Sequence, residues 1–183
     1  NTNMSGGGGS NATSPGVGFN AGSGASGIVI LRYQIGSIDS LKASGGNVSF
    51  VGSKTVHTFT SSGTFTANEA LTIDYLMVGG GGGASGNNGS GAGGGGIVAA
   101  TGAPLSPGPY AVVVGSGGAG GKSVVTTELN TPGEDTTFNS MTAGGGGQGA
   151  HYPGVGGSDI AGRASTGSSG GTSIAIGGSG GGG

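Results

Sequence analysis

The stretch "YLMVGGGGGASGNNGSGAGGGG", residues 75–96, opens as a buried strand and then gives up its side chains for the rest of its length. Its interpretation decides the fold. It is either a flexible linker or a folded element in which backbone replaces side chains as the packing surface. Glycine fills 52 of the 183 positions, far above a usual share of about 7%. Glycine has the most backbone freedom to lose on folding, so that composition taken alone means disorder. The apolar residues argue otherwise. They gather in compact runs: "GIVILRYQI" (27–35), "VSFVG" (48–52), "TVHTFT" (55–60), "LTIDYLMV" (71–78), "YAVVV" (110–114) and "TSIAI" (172–176). Disordered chains seldom cluster β-branched and aromatic residues in this way.

Glycine backbones without a Cβ can lie about as close together as strands do, in the three-residue-per-turn conformation of polyproline II. Unlike proline, glycine keeps its N–H. Neighbouring glycine helices can therefore hydrogen-bond laterally and satisfy a buried backbone. The entropy cost of ordering glycine rules out isolated helices of this kind, but an array anchored by strands at its ends can persist. Residues 79–96, 115–121, 143–150, 154–171 and 177–183 are expected to be members of such an array. The fold class expected is all-β, with short antiparallel strands and a glycine-rich, polyproline-II-like (polyglycine-II) helix sandwich.

Working outward, "LTIDYLMV" should turn Leu71, Ile73, Tyr75 and Met77 one way and Thr72 and Asp74 the other. "KTVHTFTSSGTFTA" (54–67) reads as a hairpin, with "SSG" as its turn and Gly63 at positive φ. "GIVAATGAPLSPGPYAVVV" (96–114) reads as strand, Pro-Gly turn, strand. "ELNTPGEDTTFNS" (128–140) reads as a polar turn region ending in a short strand around Phe138. Residues 36–46 read as a connector in which Ser37 or Ser40 could cap a short helical turn. No helical period is convincing anywhere.

Five basic against seven acidic residues give a formal charge of −2, too little positive charge to grip nucleic acid or anionic lipid. No apolar run approaches the roughly 20 residues of a membrane span. Cysteine is absent, so thiolate metal sites are excluded and no cofactor is expected. Catalysis has little to stand on. His57 reads as a satisfied surface or edge histidine. His151 and Asp159 lie among serines, but no G-x-S-x-G elbow leads into a helix. Glu134 and Asp135 fall short of the six to eight oxygens that calcium takes unless backbone carbonyls join. "GSGGAGGKS" (115–123) mimics a phosphate loop, yet Ser116 stands where the first glycine belongs and no helix follows. The chain is therefore not expected to be an enzyme.

"AHYPGVGGSDIAGR" (150–163) carries an aromatic, an imidazole and both signs of charge. His151, Tyr152, Asp159 and Arg163 are candidate contacts to a glycan or receptor, since rigid aromatics stack on sugar rings with little entropy lost. Asn87 and Asn88 in "GNNGS" could form a neighbouring tip. The competing interpretation is that both stretches are solvated turns between glycine helices. Asn3, Asn11, Asn47 and Asn88 each begin an N-x-S/T triplet, which leaves glycosylation open.

The ordered set "HTFTSSGTFT" (57–66), "LTIDYLMVGGGGG" (71–83), "GAGGGG" (91–96), "LSPGPYAVVVGSGGAGG" (105–121) and "TTFNSMTAGGGGQGA" (136–150) resembles the glycine-rich domain of phage and bacterial surface proteins. Similar domains occur in the ectodomains of anaplastic-lymphoma-kinase-type receptors, and polyglycine-helix sandwiches form the host-recognition tip of T-even-type phage long tail fibres. The resemblance covers residues 46–183. It implies a structural module of a virion or extracellular fibre, on a virion surface appendage or outside the cell. Its partners would be copies of itself, adjoining fibre proteins or a host surface glycan, with no nucleic acid and no membrane insertion.

In that family the domain commonly closes on a strand resembling "GSGASGIVILRY", which here comes first, at residues 22–33. The chain thus looks circularly offset. Residues 1–35 would be a lead and closing strand, 36–45 a connector and 46–183 the glycine-rich domain. The closing strand would either finish a preceding domain or be donated to a neighbour. On the second alternative, Ile28, Val29, Ile30, Leu31 and Tyr33 form an assembly strand, and its exchange would build an extracellular filament.

Overall fold

The computed structural model describes residues 21–35, 41–85, 91–122 and 130–149, and the backbone of 174–176. Among these, every regular element is a strand: β1 (Ile28–Gln34), β2 (Ala43–Ser44), β3 (Asn47–Val51), β4 (Lys54–Phe59), β5 (Gly63–Ala67), β6 (Leu71–Val78), β7 (Ile97–Leu105), β8 (Gly108–Val113), β9 (Thr136–Phe138), β10 (Met141–Ala143) and β11 (Ile174–Ile176). They form two antiparallel sheets, in the orders β11-β7-β6-β1-β4-β3 and β10-β9-β8-β5-β2.

Alternation places the core between the sheets. β6 buries Leu71, Ile73, Tyr75 and Met77 and turns Thr72 out, as its period of two requires. With Val29, Leu31 and Tyr33 of β1 and Val98 of β7, these side chains meet Phe65, Val112 and Phe138 of the second sheet. The Phe65 and Phe138 rings cross edge to face at 6.2 Å, the arrangement that aromatic quadrupoles favour.

The expected hairpin over residues 54–67 does not form. β4 pairs with β1 and β3, whereas β5 pairs with β2 and β8 in the other sheet. Both strands bury one face, and alternation is satisfied equally by lying side by side or by facing each other across the core. They face each other: the rings of His57 and Phe65 meet edge to face at 5.1 Å. Gly63 accordingly has no need of the positive φ expected of it, and positive φ falls elsewhere. Gly52 (φ 58°) opens the two-residue turn between β3 and β4, and Asn139 and Ser140 (φ 46° and 63°) make the turn between β9 and β10. A glycine first, and two positive φ values in succession, are the signatures of type II′ and type I′ hairpins. The connector contains β2, and β10 joins the short strand foreseen around Phe138.

Where glycine begins, the strands change conformation and carry on. β1 is preceded by segment 21–27 and β7 by 91–96, and β6 runs on into 79–85. In the second sheet β8 runs on into 115–121, β9 is preceded by 130–135, and β10 runs on into 144–149. The six segments bond at a three-residue interval. The N–H groups of Ala21, Gly24 and Gly27 donate to the carbonyls of Gly121, Gly118 and Gly115. Segment 79–85 is the hub and is buried throughout. Gly79 and Gly82 donate to Gly96 and Gly93, Gly80 and Gly83 to Glu134 and Thr131, and Gly81 and Ala84 to Ala25 and Gly22. Its carbonyls at Gly80, Gly81, Gly83 and Ala84 accept from Gly146, Gly118, Gly149 and Gly121. Three residues per turn send successive amides in three directions, as in polyproline II.

Close approach explains the absence of side chains. A Cβ at Gly82 would land on the carbonyl of Gly147, one at Gly80 on that of Ser116, and one at Gly83 on that of Ala119. Cα–H groups facing carbonyls in this way add weak attraction to the N–H bonds. The glycine runs at 79–85, 91–96, 115–121 and 143–149 are thus an ordered lattice. The expected members 154–171 and 177–183 lie outside the described residues.

Candidate functional site

The candidate glycan contacts His151, Tyr152, Asp159, Arg163, Asn87 and Asn88 lie outside the described residues. The proposed assembly strand is placed in full. β1 lies mid-sheet, with Ile30 opposite Thr58 of β4 on one side and Leu76 of β6 on the other. Val29, Leu31 and Tyr33 are buried in the core, while Ile28 and Ile30 are half-buried on the outer face. In the single chain, therefore, residues 28–34 pair with their own β4 and β6.

What holds the lattice together at its rim is the polar segment 130–136, which the sequence presents only as a turn. Asn130 is buried, and its Nδ2 donates to the carbonyls of Gly83 (2.9 Å) and Gly149 (2.6 Å), tying the ends of two glycine segments. Thr131 Oγ1 accepts from the Ala119 amide (2.9 Å), and Thr136 Oγ1 accepts from that of Gly115 (3.0 Å). The Asp135 carboxylate accepts from Gly145 (2.8 Å), and that of Glu134 from Ser116 (3.3 Å). Bonds from Ser116 hold the Glu134 pKa below its ordinary value. Each amide here lies where the lattice runs out of backbone partners, so a short polar side chain supplies the acceptor. The two acids considered as calcium ligands spend these oxygens on backbone amides.

Two further clusters bear on chemistry. His57, expected at a surface or edge, is fully buried. Its Nδ1 lies 2.6 Å from the Gly45 carbonyl, which can only accept, so Nδ1 carries the proton and Nε2 accepts from the Tyr33 hydroxyl at 3.0 Å. Burial pushes its pKa down, outweighing the bond to Gly45. On the outer face, Asp74 meets Arg32 (2.9 Å) and Lys54 (3.3 Å) and accepts from the Gly102 amide (3.0 Å). Gly102 (φ 68°) and Thr101 together face Asp74 where the β6–β7 register slips, a β-bulge. Partial burial works to raise the Asp74 pKa, but Gly102, Arg32 and Lys54 prevail and hold it low. A shallow groove of about 300 Å³ lies beside Arg32 and Asp74 and is lined also by Ile30, Leu76 and Ala99.

These features add up to a backbone lattice rimmed with polar staples, and the family comparison agrees with them. A family model for a glycine-rich domain matches residues 59–183. The chain belongs to the glycine-rich domain family. No curated protein and no solved structure matches it significantly. The matched span of this glycine-rich domain supplies β5 to β11 and five of the six lattice segments. β1 then adds to β6, with β4 and β3 beyond it. Among the described residues of the domain, no group of three or more His, Cys, Asp and Glu side chains is placed to hold a metal ion. The lattice holds its six segments, and the strands they continue, in one hydrogen-bonded block.

Proposed function

We propose that this glycine-rich domain is a structural module of a virion or extracellular fibre, of the tail-fibre or adhesin kind that its motif order resembles. The observation that carries the proposal is the hub segment 79–84, whose six successive amides all bond to three neighbouring segments. A block built this way draws its rigidity chiefly from backbone hydrogen bonds, which suits an appendage under mechanical stress. Immunogold electron microscopy of the particles or cells that make the chain tests it. Gold along fibres or surface appendages is the expected result, and gold confined to the cell interior overturns the proposal.

Recognition of a host surface glycan at residues 150–163 is the finer part of the proposal. It rests on the aromatic and charged residues His151, Tyr152, Asp159 and Arg163 in an otherwise glycine-rich stretch. Binding on a glycan array that is lost in Tyr152→Ala supports it; an empty array removes it and leaves the structural role intact. Exchange of β1 between copies is the other assembly route. In an exchanged polymer the slot between β4 and β6, filled here by the chain's own β1, would take β1 of a neighbouring copy.

A further inference from the structure

β3, with the sequence "NVSFV", is the outer strand of its sheet, and all five of its residues are exposed. Val48 and Phe50 stand opposite His57 and Thr55, both buried, so they point inward. Even so they are 47% and 68% exposed. Among the described residues the second sheet ends at the two-residue β2, and Leu41, two residues before the buried Ala43, is 67% exposed. The strand has no charge and no proline, the usual protections of a free edge.

The backbone says which partner fits. A two-residue hairpin loop closes on a pair that exchanges both bonds. Val51 with Lys54, Ser49 with Val56 and Asn47 with Thr58 therefore bond across the hairpin, and the N–H and C=O groups of Val48 and Phe50 face away from β4. A two-fold axis through Ser49 sets Val48 of one chain against Phe50 of another, and Phe50 against Val48. In that antiparallel register all four free groups of each strand are paired at once. Both inner faces then lie on the same side, so the two open core ends meet and the valine and phenylalanine side chains cover each other.

We infer that β3 is a self-association edge whose occupant is β3 of a second copy of this chain, giving one continuous sheet across a two-fold axis. Such a contact closes on itself and makes a dimer, not a filament. It does not depend on the fibre proposal. The chain has no cysteine, so one introduced thiol reports on one contact. Ser49 faces its own copy as a non-hydrogen-bonded pair, about 4.5 Å apart at Cα, within the span of a disulfide. Under mild oxidation the full-length Ser49→Cys variant should cross-link to dimer, whereas Asn47→Cys, which faces Val51 of the other copy, should not. By sedimentation, the unmodified chain should be a dimer at high micromolar concentration. Phe50→Lys should weaken that dimer at least about tenfold, as loss of a central aromatic does. A monomer throughout, equal cross-linking of both cysteine variants, or a dimer indifferent to Phe50→Lys would each overturn the inference.

Discussion

At Gly82 a single methyl group decides between two states of the chain. The place of its Cβ is held by the Gly147 carbonyl, and backbone cannot move aside as a flexible side chain can. Gly82→Ala is therefore expected to cost at least about 2 kcal/mol, the range of overpacked cores. At Gly63 the nearest atom to a new Cβ is a Phe59 ring carbon at 3.5 Å, so Gly63→Ala should stay within about 0.5 kcal/mol of the parent. Denaturant midpoints of the two variants separate the cases. His57 sets a second residue-scale expectation. Its folded pKa is lowered by burial, while in the unfolded chain it returns to about 6.5. Protons thus bind preferentially to the unfolded chain as the pH drops below that value. The contribution of His57 is full above about pH 6.5 and is lost as pH falls towards the folded pKa. Unfolding measured from pH 7.5 down to pH 5 should show this loss, and His57→Phe should remove that part of the pH dependence.

Among the elements, segment 130–136 shows where sequence patterns run out. Removing the Asn130 amide with Asn130→Ala leaves the Gly83 and Gly149 carbonyls without their side-chain donor. The Gly83 carbonyl keeps its bond from the Gly149 amide, so the expected cost is that of one buried acceptor left unpaired, about 1–3 kcal/mol. Hydrogen-bond strength of this order is invisible in "NTPGED", which has the composition of any polar turn. Segment 21–27 is hidden differently: serine and alanine interrupt its glycines, while a Cβ would meet neighbouring backbone at Gly24 and Gly27. The strands are legible because one buried face imposes a period of two, as in β6. Their partners are not. β4 and β5 alternate perfectly yet sit in opposite sheets, because periodicity records which side is buried and not which strand lies alongside. Asp74 reads in sequence as a lone outward charge; its partners come from β1, β4 and β7, which no local pattern brings together.

For the whole molecule, the lattice and the sandwich share their chain paths, since each glycine segment is the continuation of a strand. They should therefore unfold together. Denaturant unfolding followed by tyrosine fluorescence, which reports the core, and by far-ultraviolet circular dichroism, which reports the backbone, should give one coincident transition. Deleting residues 1–35 would remove β1 from between β4 and β6, along with segment 21–27 from the lattice. Loss of assembly in such a truncation would reflect loss of the fold, so full-length variants are the informative ones. Whether the glycine runs are folded is read from hydrogen exchange of the amides of residues 79–84, compared with those of β6. Protection matching that of β6 is expected, since all six amides are bonded inside a buried hub. Exchange at the rate of an unstructured glycine chain would mean that these residues are a linker after all.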